Sequence, residues 1–310
     1  MLLVFGSINV DLLFKVEALA RPGETVLCPD YQLAAGGKGA NQATAAARAG
    51  AAVRMIGHVG DDGFGIFARR AMAVAGVDCA GIAASGKATG IAVIGIDRAG
   101  ENQIMVASGA NLDTRAEQIA AADLGPGVTL LCQNEVPPEA TFALLERASA
   151  KGVRTILNLA PAGPVPPRVL DALDVLVVNR IEAQMAAGGA ADGDPVALAR
   201  DLAARHALTC VVTLGAAGAL AIGPRGGHRL AALPVAPVDT TGAGDAFAGV
   251  LAAALDRGHD LPAALAQASV AAGLACTRIG AQTSQPGAAE IAARLGELPA
   301  PVPLDGSSSE

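Results

Sequence analysis

The segment VTLLCQNEVPPEATFALLERASAKGVRTILNL, residues 128–159, decides the fold. Two short apolar runs, at 128–132 and 154–159, flank a stretch in which Phe142, Leu145 and Ala148 fall on one helical face. Gly152 is a helix stop signal before the second run. Near-continuous Val, Ile and Leu are typical of strands buried on both faces of a parallel sheet. The segment therefore predicts a right-handed strand–helix–strand unit.

The same alternation extends in both directions along the chain. LLVF (2–5), DVLVVN (174–179) and LTCVVTL (208–214) have the composition of buried strands, and DPVALARDLAARHA (194–207) has that of a helix. Repeated strand–helix units favour the α/β class with a doubly wound sheet.

Two segments interrupt this alternation. Residues 12–35 contain the turn RPGETV, and residues 89–107 contain two β-like runs around the turn DRAGEN. We interpret both as a small antiparallel β-lid over the carboxyl edge of the sheet; the alternative is an ordinary hairpin at the sheet edge. Residues 1–298 are expected to form one domain with these insertions. The Pro- and Ser-rich residues 299–310 are expected to form a disordered tail.

The composition limits the classes of function. The 310 residues carry a formal net charge of −7, have no basic run and are only 2% aromatic, which argues against a nucleic-acid partner. The five cysteines are far apart and form no C-x-x-C, so neither a disulfide framework nor a zinc site is expected. Cys132 and Cys210 have the surroundings of core residues. No apolar run is long enough for a membrane span, and we expect a soluble, cytoplasmic protein without a membrane partner.

The segment DTTGAGDAFAGVLAAAL (239–255) has the strongest chemical signal. Gly242 and Gly244 precede a helix whose first-turn N–H groups can bind an anion. Asp245 in the same turn would repel a bound phosphate, but it is suited to removing a proton from a hydroxyl that attacks phosphorus. The alternative is an Asp helix cap after a Gly-rich turn.

Two N-terminal segments provide polar groups beside glycines. AAGGKGANQATAAARAG (34–50) is not a P-loop, because no Ser or Thr follows Gly-Lys at the needed spacing. It is not a dinucleotide fingerprint either, because Gln42 replaces the third glycine. Lys38 and Asn41 are candidate ligand contacts there; the alternative is tight helix packing through Gly and Ala. In GSINVDLLF (6–14), Asn9 and Asp11 point to one side and suit sugar hydroxyls, unless they lie in a surface loop.

Two later segments suggest a nucleotide site. In VVNRIEAQ (177–184), Asn179 and Glu182 share a helical face, and a carboxylate close to phosphates favours a Mg²⁺ ion; the alternative is a solvated helix start. In TLGAAGALAIG (213–223), Gly215 and Gly218 form a turn across which a nucleotide could lie.

Together these segments resemble the ribokinase-like (PfkB) carbohydrate kinase family from the first strand to about residue 295. GGKGANQATAAARAG and DTTGAGDAFAG are the specific motifs, and GSINVD, PGETV, NLAPA and TRIGAQTS are closest to the ribokinase members. The resemblance implies a Rossmann-like sheet with a β-lid that closes over the sugar and often forms a dimer contact. The chain departs from the family pattern at Arg180 and Ile181, where NRIE replaces the common NETE, and at Ser269, where a ring often meets adenine.

The resemblance also implies a role for each matching residue. Asp245 would be the general base beside Gly242, with the N–H groups of Ala243, Gly244 and Asp245 as the anion hole. The sugar would be held by Asn9, Asp11, Gly37, Lys38, Gly39, Asn41 and Glu135. The ATP site, with Mg²⁺ supported by Glu182, would be lined by Asn179, Glu182, Thr213, Gly215, Gly218, Gly244 and Ser269. A monovalent cation, K⁺, would be bound by Asp239, Thr241, Ala275, Arg278, Gly280 and Ser284.

The expected activity is ATP-dependent phosphorylation of the primary hydroxyl of a pentose, with D-ribose as the best candidate. Within the same family the alternative is a kinase of nucleosides or of other sugars. Phe14 and Tyr31 are the lid's only aromatic residues, which disfavours stacking of a nucleobase. A silent sugar- or nucleotide-binding protein is a further alternative, and a nicotinamide dehydrogenase is disfavoured by the missing third glycine. A homodimer formed through the lid is expected.

Overall fold

The computed structural model describes residues 1–189 and 193–304. Its strands are β1 Leu2–Phe5, β2 Asn9–Lys15, β3 Tyr31–Gly36, β4 Val53–Gly60, β5 Asp78–Ser85, β6 Gly90–Ile96, β7 Asn102–Ala107, β8 Thr129–Cys132, β9 Arg154–Asn158, β10 Val175–Asn179, β11 Thr209–Thr213, β12 Ala219–Gly223, β13 Gly226–Leu230 and β14 Val302–Leu304. Its α-helices are α1 Lys38–Arg48, α2 Gly63–Val74, α3 Pro138–Ser149, α4 Pro167–Leu170, α5 Arg180–Ala186, α6 Pro195–His206, α7 Ala243–Asp256, α8 Leu261–Ala275 and α9 Ala288–Arg294.

The larger sheet has ten strands in the order β14-β13-β12-β11-β10-β9-β8-β1-β4-β5. All neighbours from β11 to β5 are parallel. The chain winds from β1 to one side through β4 and β5, and then to the other side through β8 to β11. This is the doubly wound α/β sheet that the alternation predicts. The antiparallel pairing of β12 and β13 follows from the short connections β11–β12 and β12–β13. β14 returns after α7, α8 and α9 and also pairs antiparallel, with β13.

The core lies on both faces of this sheet. Alternate residues of β1 point into different layers: Leu2 and Val4 belong to the core layer that also contains α1, α7 and α8, and Leu3 and Phe5 to the layer that contains α3 and α6. Burial on both faces explains why the strand sequences are apolar at nearly every position. Cys132 and Cys210 are buried in this core, as predicted. Among the described residues, no helix combines the length and apolar character needed to cross a membrane.

A second, four-stranded sheet is formed by the two segments that interrupt the alternation. Its order is β3-β2-β6-β7. The prediction of an antiparallel lid is wrong for the central pair, because β2 and β6 run parallel. Both strands follow parallel strands of the large sheet, β1 and β5, and leave the same edge in the same direction. The outer pairs, β2–β3 and β6–β7, are antiparallel.

The C-terminal segment differs from its prediction. Val302–Leu304 pairs with β13 as an edge strand, so the prediction of a disordered tail from residue 299 is wrong for these residues. An edge strand needs few apolar side chains and tolerates a proline such as Pro303. The rest of the predicted tail, residues 305–310, lies outside the described residues.

Helices α1 and α7 pack with almost no space between their backbones. A Cβ at Gly249 in α7 would overlap the carbonyl oxygen of Gln42 and lie 2.9 Å from the Cβ of Ala45. Gly249 therefore sets the distance between the two helices, and with it the position of the residues at their N-termini.

We expect Gly249→Ala to lower the free energy of unfolding by about 1–3 kcal/mol, because the added methyl group must push α7 away from α1. Urea denaturation measures this. Gly63→Ala is the matched control, since a Cβ at that helical position meets no atom within 4 Å. A Gly249→Ala protein as stable as the wild type would contradict the close packing.

Candidate active site

The polar residues singled out in the sequence gather at the carboxyl ends of the parallel strands. Ser7 follows β1 and Glu135 follows β8, at the point where the winding of the sheet reverses. Ser7 Oγ donates a hydrogen bond of 2.6 Å to Glu135 Oε2 across this point. Such a reversal leaves a crevice at the sheet edge, which is the usual ligand site of open α/β sheets. The N-termini of α1 and α7 border the same crevice.

The first turn of α7 presents free backbone donors. Its N-cap residue, Gly242, has a φ of 77°, and a Cβ there would lie 2.9 Å from the backbone of Ala281. Among the described residues, the N–H groups of Gly244 and Asp245 have no acceptor. The N–H of Ala243 donates to the carbonyl of Thr240 at 3.2 Å. The predicted anion hole of three donors is therefore reduced to two.

Asp245 is buried, and two amides hold its carboxylate. Asn41 Nδ2 donates to Oδ2 and Gln42 Nε2 donates to Oδ1, each at 2.9 Å. Burial raises the pKa of Asp245 above its ordinary value, the charge of Glu135 acts in the same direction, and Lys38 and the two amides oppose them. A carboxylate with a raised pKa that still accepts two hydrogen bonds is suited to act as a general base.

A second tier of buried amides, which the sequence reasoning missed, supports this carboxylate. Gln133 Nε2 donates to Gln42 Oε1 at 2.7 Å, and Gln42 Nε2 also donates to Asn158 Oδ1 at 2.8 Å. Asn158 Nδ2 in turn donates to the carbonyl of Val177 at 3.1 Å. Two of these residues lie in motifs that the sequence analysis singled out, Gln42 in GGKGANQATAAARAG and Asn158 in NLAPA, but neither motif indicated that the amides meet.

The predicted sugar-binding residues converge beside Asp245. Glu135 Oε2 accepts from the N–H of Lys38 at 3.0 Å, and Asn9 Oδ1 accepts from Asn111 Nδ2 at 2.7 Å. Asn111, another residue that the sequence reasoning missed, accepts from the N–H of Ile8. The glycines make room for these groups. A Cβ at Gly36 would overlap the Asp11 carboxylate, and the φ of 87° at Gly37 turns the chain into α1.

The site concentrates charge around Lys38. Burial alone lowers the pKa of Lys38, but the carboxylates of Asp245, Glu135 and Glu182 raise it more, so that its net shift is upward. At Asp11, no contribution from the described residues opposes the effect of burial on the pKa. Burial, followed by the charges of Glu135 and Asp245, raises its pKa to about 6. The crevice thus holds one buried cation among four carboxyl groups.

Two cavities meet at this edge of the sheet. The inner cavity, of about 180 Å³, is lined by Lys38, Asn158, Ala160, Val177, Asn179, Glu182, Thr213, Gly242, Gly244 and Asp245. The outer cavity, of about 480 Å³, has a mainly apolar wall that includes Ile181, Val196 and Leu220. Asn179 and Thr213 line both cavities. A long ligand could therefore extend from Asp245 through this junction into the outer cavity.

The residues predicted for a nucleotide site divide into two groups. Asn179, Glu182, Thr213, Gly215 and Gly244 line one cavity or both, whereas Gly218 and Ser269 line neither. Gly218, with a φ of 90°, leaves no space for a Cβ beside the carbonyl of Leu230, so its role is in the turn. Ser269 is buried in α8.

Asn179 and Glu182 form a capping box at the start of α5. Asn179 Oδ1 accepts from the N–H of Glu182 at 2.9 Å, and Glu182 Oε2 accepts from the N–H of Asn179 at 2.7 Å. Their spacing therefore serves local structure as well as the inner cavity.

Except for Ala275, the residues predicted to bind a monovalent cation lie in two loops that Asp239 and Gly280 join by a hydrogen bond. The Asp239 carboxylate accepts hydrogen bonds from the N–H groups of Thr241 and Gly280, both at 2.9 Å. Ser284 Oγ is buried and donates to the carbonyl of Ala281. The guanidinium of Arg278 forms an ion pair with Glu290, so only the backbone of Arg278 remains for a ligand. Ala275, at the end of α8, is buried in the core.

Comparison with known proteins identifies the family to which this chain belongs. The model of the pfkB family carbohydrate kinases matches residues 1–288. The chain belongs to the pfkB family of carbohydrate kinases. It is 36% identical over 291 residues to the ribokinase of Haemophilus influenzae, covering 92% of this chain and 95% of that protein.

Solved structures of the family have the same architecture. The crystal structure of ribokinase from Thermotoga maritima superposes with a TM-score of 0.88 at 30% identity, over 95% of this chain and 99% of that one. The structure of Arabidopsis thaliana ribokinase complexed with ribose and ATP gives a TM-score of 0.85 at 28% identity, over 95% and 98% of the two chains. The predicted fold class and the prediction of a carbohydrate kinase are therefore confirmed.

The raised pKa of Asp11 predicts that this carboxyl group lowers the free energy of unfolding as the pH rises. Between pH 3.8 and about 6 the folded protein keeps a proton that the unfolded chain has lost, so this group destabilises the fold as the pH rises. At pH 8, Asp11→Asn should raise the free energy of unfolding by about 1–3 kcal/mol, with the gain disappearing below pH 4.

Urea denaturation at several pH values measures this difference. Asp61→Asn, which changes an exposed carboxylate at the end of β4, is the matched control for the loss of one negative charge. An Asp11→Asn protein with the same free energy of unfolding as the wild type at every pH would contradict the raised pKa of Asp11.

Proposed function

We propose that this protein transfers the γ-phosphoryl group of ATP to the primary hydroxyl of a pentose, with D-ribose as its best substrate. The observation that carries the proposal is the buried Asp245 carboxylate, which lines the inner cavity at the start of α7, where the N–H groups of Gly244 and Asp245 have no acceptor among the described residues. Similarity to ribokinases, including the one complexed with ribose and ATP, supports the choice of substrates.

In the proposed reaction Asp245 accepts the proton of the primary hydroxyl. The hydroxyl oxygen forms a bond to the γ-phosphorus, the bond from phosphorus to the β–γ bridging oxygen breaks, and ADP leaves. The N–H groups of Gly244 and Asp245 donate to the transferring group and stabilise its charge. The raised pKa of Asp245 brings the base closer to the operating pH, where it is more effective. The Lys38 ammonium offsets negative charge in the inner cavity.

On the sugar side, the proposal uses the groups that still have hydrogen-bonding capacity. Asn41 Nδ2 donates to Asp245, and its Oδ1 has no partner among the described residues; because this oxygen is enclosed, a sugar hydroxyl reaches it only if neighbouring side chains move. Asp11, Asn9 and Glu135 add further acceptors. A nucleoside is the weaker candidate, because Phe14 and Tyr31 stack on each other with ring centroids 5.8 Å apart.

A Mg²⁺ ion fits the inner cavity only if it binds together with the nucleotide. Within residues 1–189 and 193–304, no group of three or more His, Cys, Asp or Glu could hold a metal ion. Glu182 provides a single carboxylate, of which one oxygen accepts from Asn179. Such a site suits Mg²⁺ held mainly by phosphate oxygens and water. When bound, the ion would neutralise phosphate charge.

A K⁺ ion is proposed beside the start of α7. The groups available there are oxygens, which fit this ion: the Asp239 carboxylate, the Ser284 hydroxyl and the backbone carbonyls of Thr241, Ala275, Arg278 and Gly280. The two N–H groups that bind Asp239 hold its carboxylate in a fixed position. When bound, the cation would add positive charge behind the free N–H groups of α7.

A homodimer formed through the small sheet is also proposed. Exposed apolar side chains on β3 and β7 support it, namely Tyr31, Leu33, Ile104, Met105 and Val106. The cytoplasmic location stays a prediction.

Asp245→Asn should lower kcat by roughly 10²- to 10⁴-fold, the usual contribution of a general base, while the fold is retained. ADP release from purified protein, measured with ribose, deoxyribose, fructose, adenosine and cytidine with and without K⁺, tests both base and substrate. Thermal unfolding of the variant is the control. A variant that keeps most of its activity would rule out Asp245 as the base, and preference for a nucleoside would rule out ribose.

Arg180→Ala should raise the KM for ATP roughly tenfold and leave the KM for ribose unchanged, through loss of a charge-assisted contact. Arg180 lines the outer cavity and has no ion-pair partner among the described residues. Initial rates at varied ATP and ribose provide the test. Arg225→Ala, in the exposed turn between β12 and β13, is the matched control. Equal ATP dependence in both variants would remove Arg180 from the nucleotide site.

A further inference from the structure

The second amide on the Asp245 carboxylate comes from a residue with no access to the crevice. Gln42 is completely buried, and its Nε2 donates to Asp245 Oδ1 at 2.9 Å. Its neighbour Asn41 donates to Oδ2 at the same distance but keeps a free Oδ1. Gln42 has no exposed surface and can therefore act on a bound substrate only through Asp245.

The orientation of the Gln42 amide follows from its partners. An ionised carboxylate only accepts hydrogen bonds, so the atom of Gln42 that faces Asp245 must be nitrogen. Gln42 Oε1 then faces Gln133, whose Nε2 donates to it at 2.7 Å. The second N–H of Gln42 is directed to Asn158 Oδ1 at 2.8 Å. Three fixed partners leave Gln42 a single orientation.

The support continues into the large sheet. Gln133 follows β8 and is completely buried, and a Cβ at Gly6 would overlap its Oε1. Asn158, at the end of β9, donates to the carbonyl of Val177 in β10. The amide on Asp245 is thus fixed by residues of three neighbouring strands and their ends rather than by its own helix alone.

We infer that Gln42 is a positioning residue for the proposed phosphoryl transfer: it fixes the plane of the Asp245 carboxylate and keeps that carboxylate ionised inside the crevice. The inference rests on the proposed function of Asp245. Fixed hydrogen bonds of this kind set the geometry of a catalytic group to a fraction of an ångström. Because each donated hydrogen bond favours the charged form, the amide also opposes the effect of burial on the base.

The test compares Gln42→Met with the wild type in ribose-dependent ADP release across pH. Met has a similar length and no amide. We expect kcat to fall about ten- to a hundredfold, as for loss of one hydrogen bond to a charged group, with both KM values within about twofold. The acid limb of the kcat profile should move to higher pH, because the ionised base has lost a donor.

Thr44→Val is the matched control. Thr44 is equally buried in α1, but it bonds to Gln282 rather than to Asp245. This variant should keep the wild-type acid limb. A folded Gln42→Met protein with the kcat and acid limb of the wild type would overturn the inference, as would an equal loss in Thr44→Val.

Gln42→Glu keeps the test decisive if Gln42→Met does not fold. Glu preserves the acceptor for Gln133 and places a second carboxyl group against Asp245, so that the pair shares a proton and the acid limb moves to higher pH. An unmoved acid limb would overturn the inference.

Failure of the proposed function can be recognised separately. Wild-type protein that releases no ADP with any sugar would refute the phosphotransfer. The inference would then be read from the carboxyl ¹³C titration of Asp245, assigned with Asp245→Asn. That titration should move to higher pH in Gln42→Met, and an unchanged titration would overturn the inference.

Discussion

The structure of the site depends on a carboxylate buried between two helix N-termini. Removing an ionised group from water is costly unless hydrogen bonds replace the lost hydration. For Asp245 that replacement comes from Asn41 and Gln42, both at the start of α1. The two helices must therefore approach closely, which explains why Gly249 of α7 lies against the backbone of α1 without space for a side chain. The packing of α1 against α7 and the position of the Asp245 carboxylate therefore depend on each other.

The same constraint organises the rest of the crevice. Lys38 begins α1 and lies among the carboxylates of Asp245, Glu135 and Glu182, whose charges keep it protonated. Glu135 is tied to the backbone of Lys38 and to Ser7, so the end of β8 and the end of β1 are joined to the same helix turn. Burial and the neighbouring carboxylates make the charged form of Asp11 unfavourable and raise its pKa to about 6. A site that concentrates charge in this way lowers the free energy of unfolding, and a reactive arrangement of side chains commonly has this cost.

The sequence was sufficient where the signal is local. The strand–helix period predicted the parallel sheet, and the glycines before Asp245 predicted a helix start with free donors. Contacts between distant segments left no such signal. Gln42, Gln133 and Asn158 meet only after α1, β8 and β9 have assembled, and no spacing in the chain relates them. The parallel pairing of β2 with β6 and the acceptor found by the Ala243 N–H likewise depend on tertiary geometry.

The most direct test of the central claim is a crystal structure with ribose and a non-hydrolysable ATP analogue. The account predicts that the primary hydroxyl lies within hydrogen-bonding distance of an Asp245 carboxylate oxygen. It also predicts the γ-phosphate at the N–H groups of Gly244 and Asp245, with the nucleotide passing Asn179 and Thr213 into the outer cavity. A complex in which the hydroxyl is remote from Asp245, or the phosphate chain enters elsewhere, would contradict it.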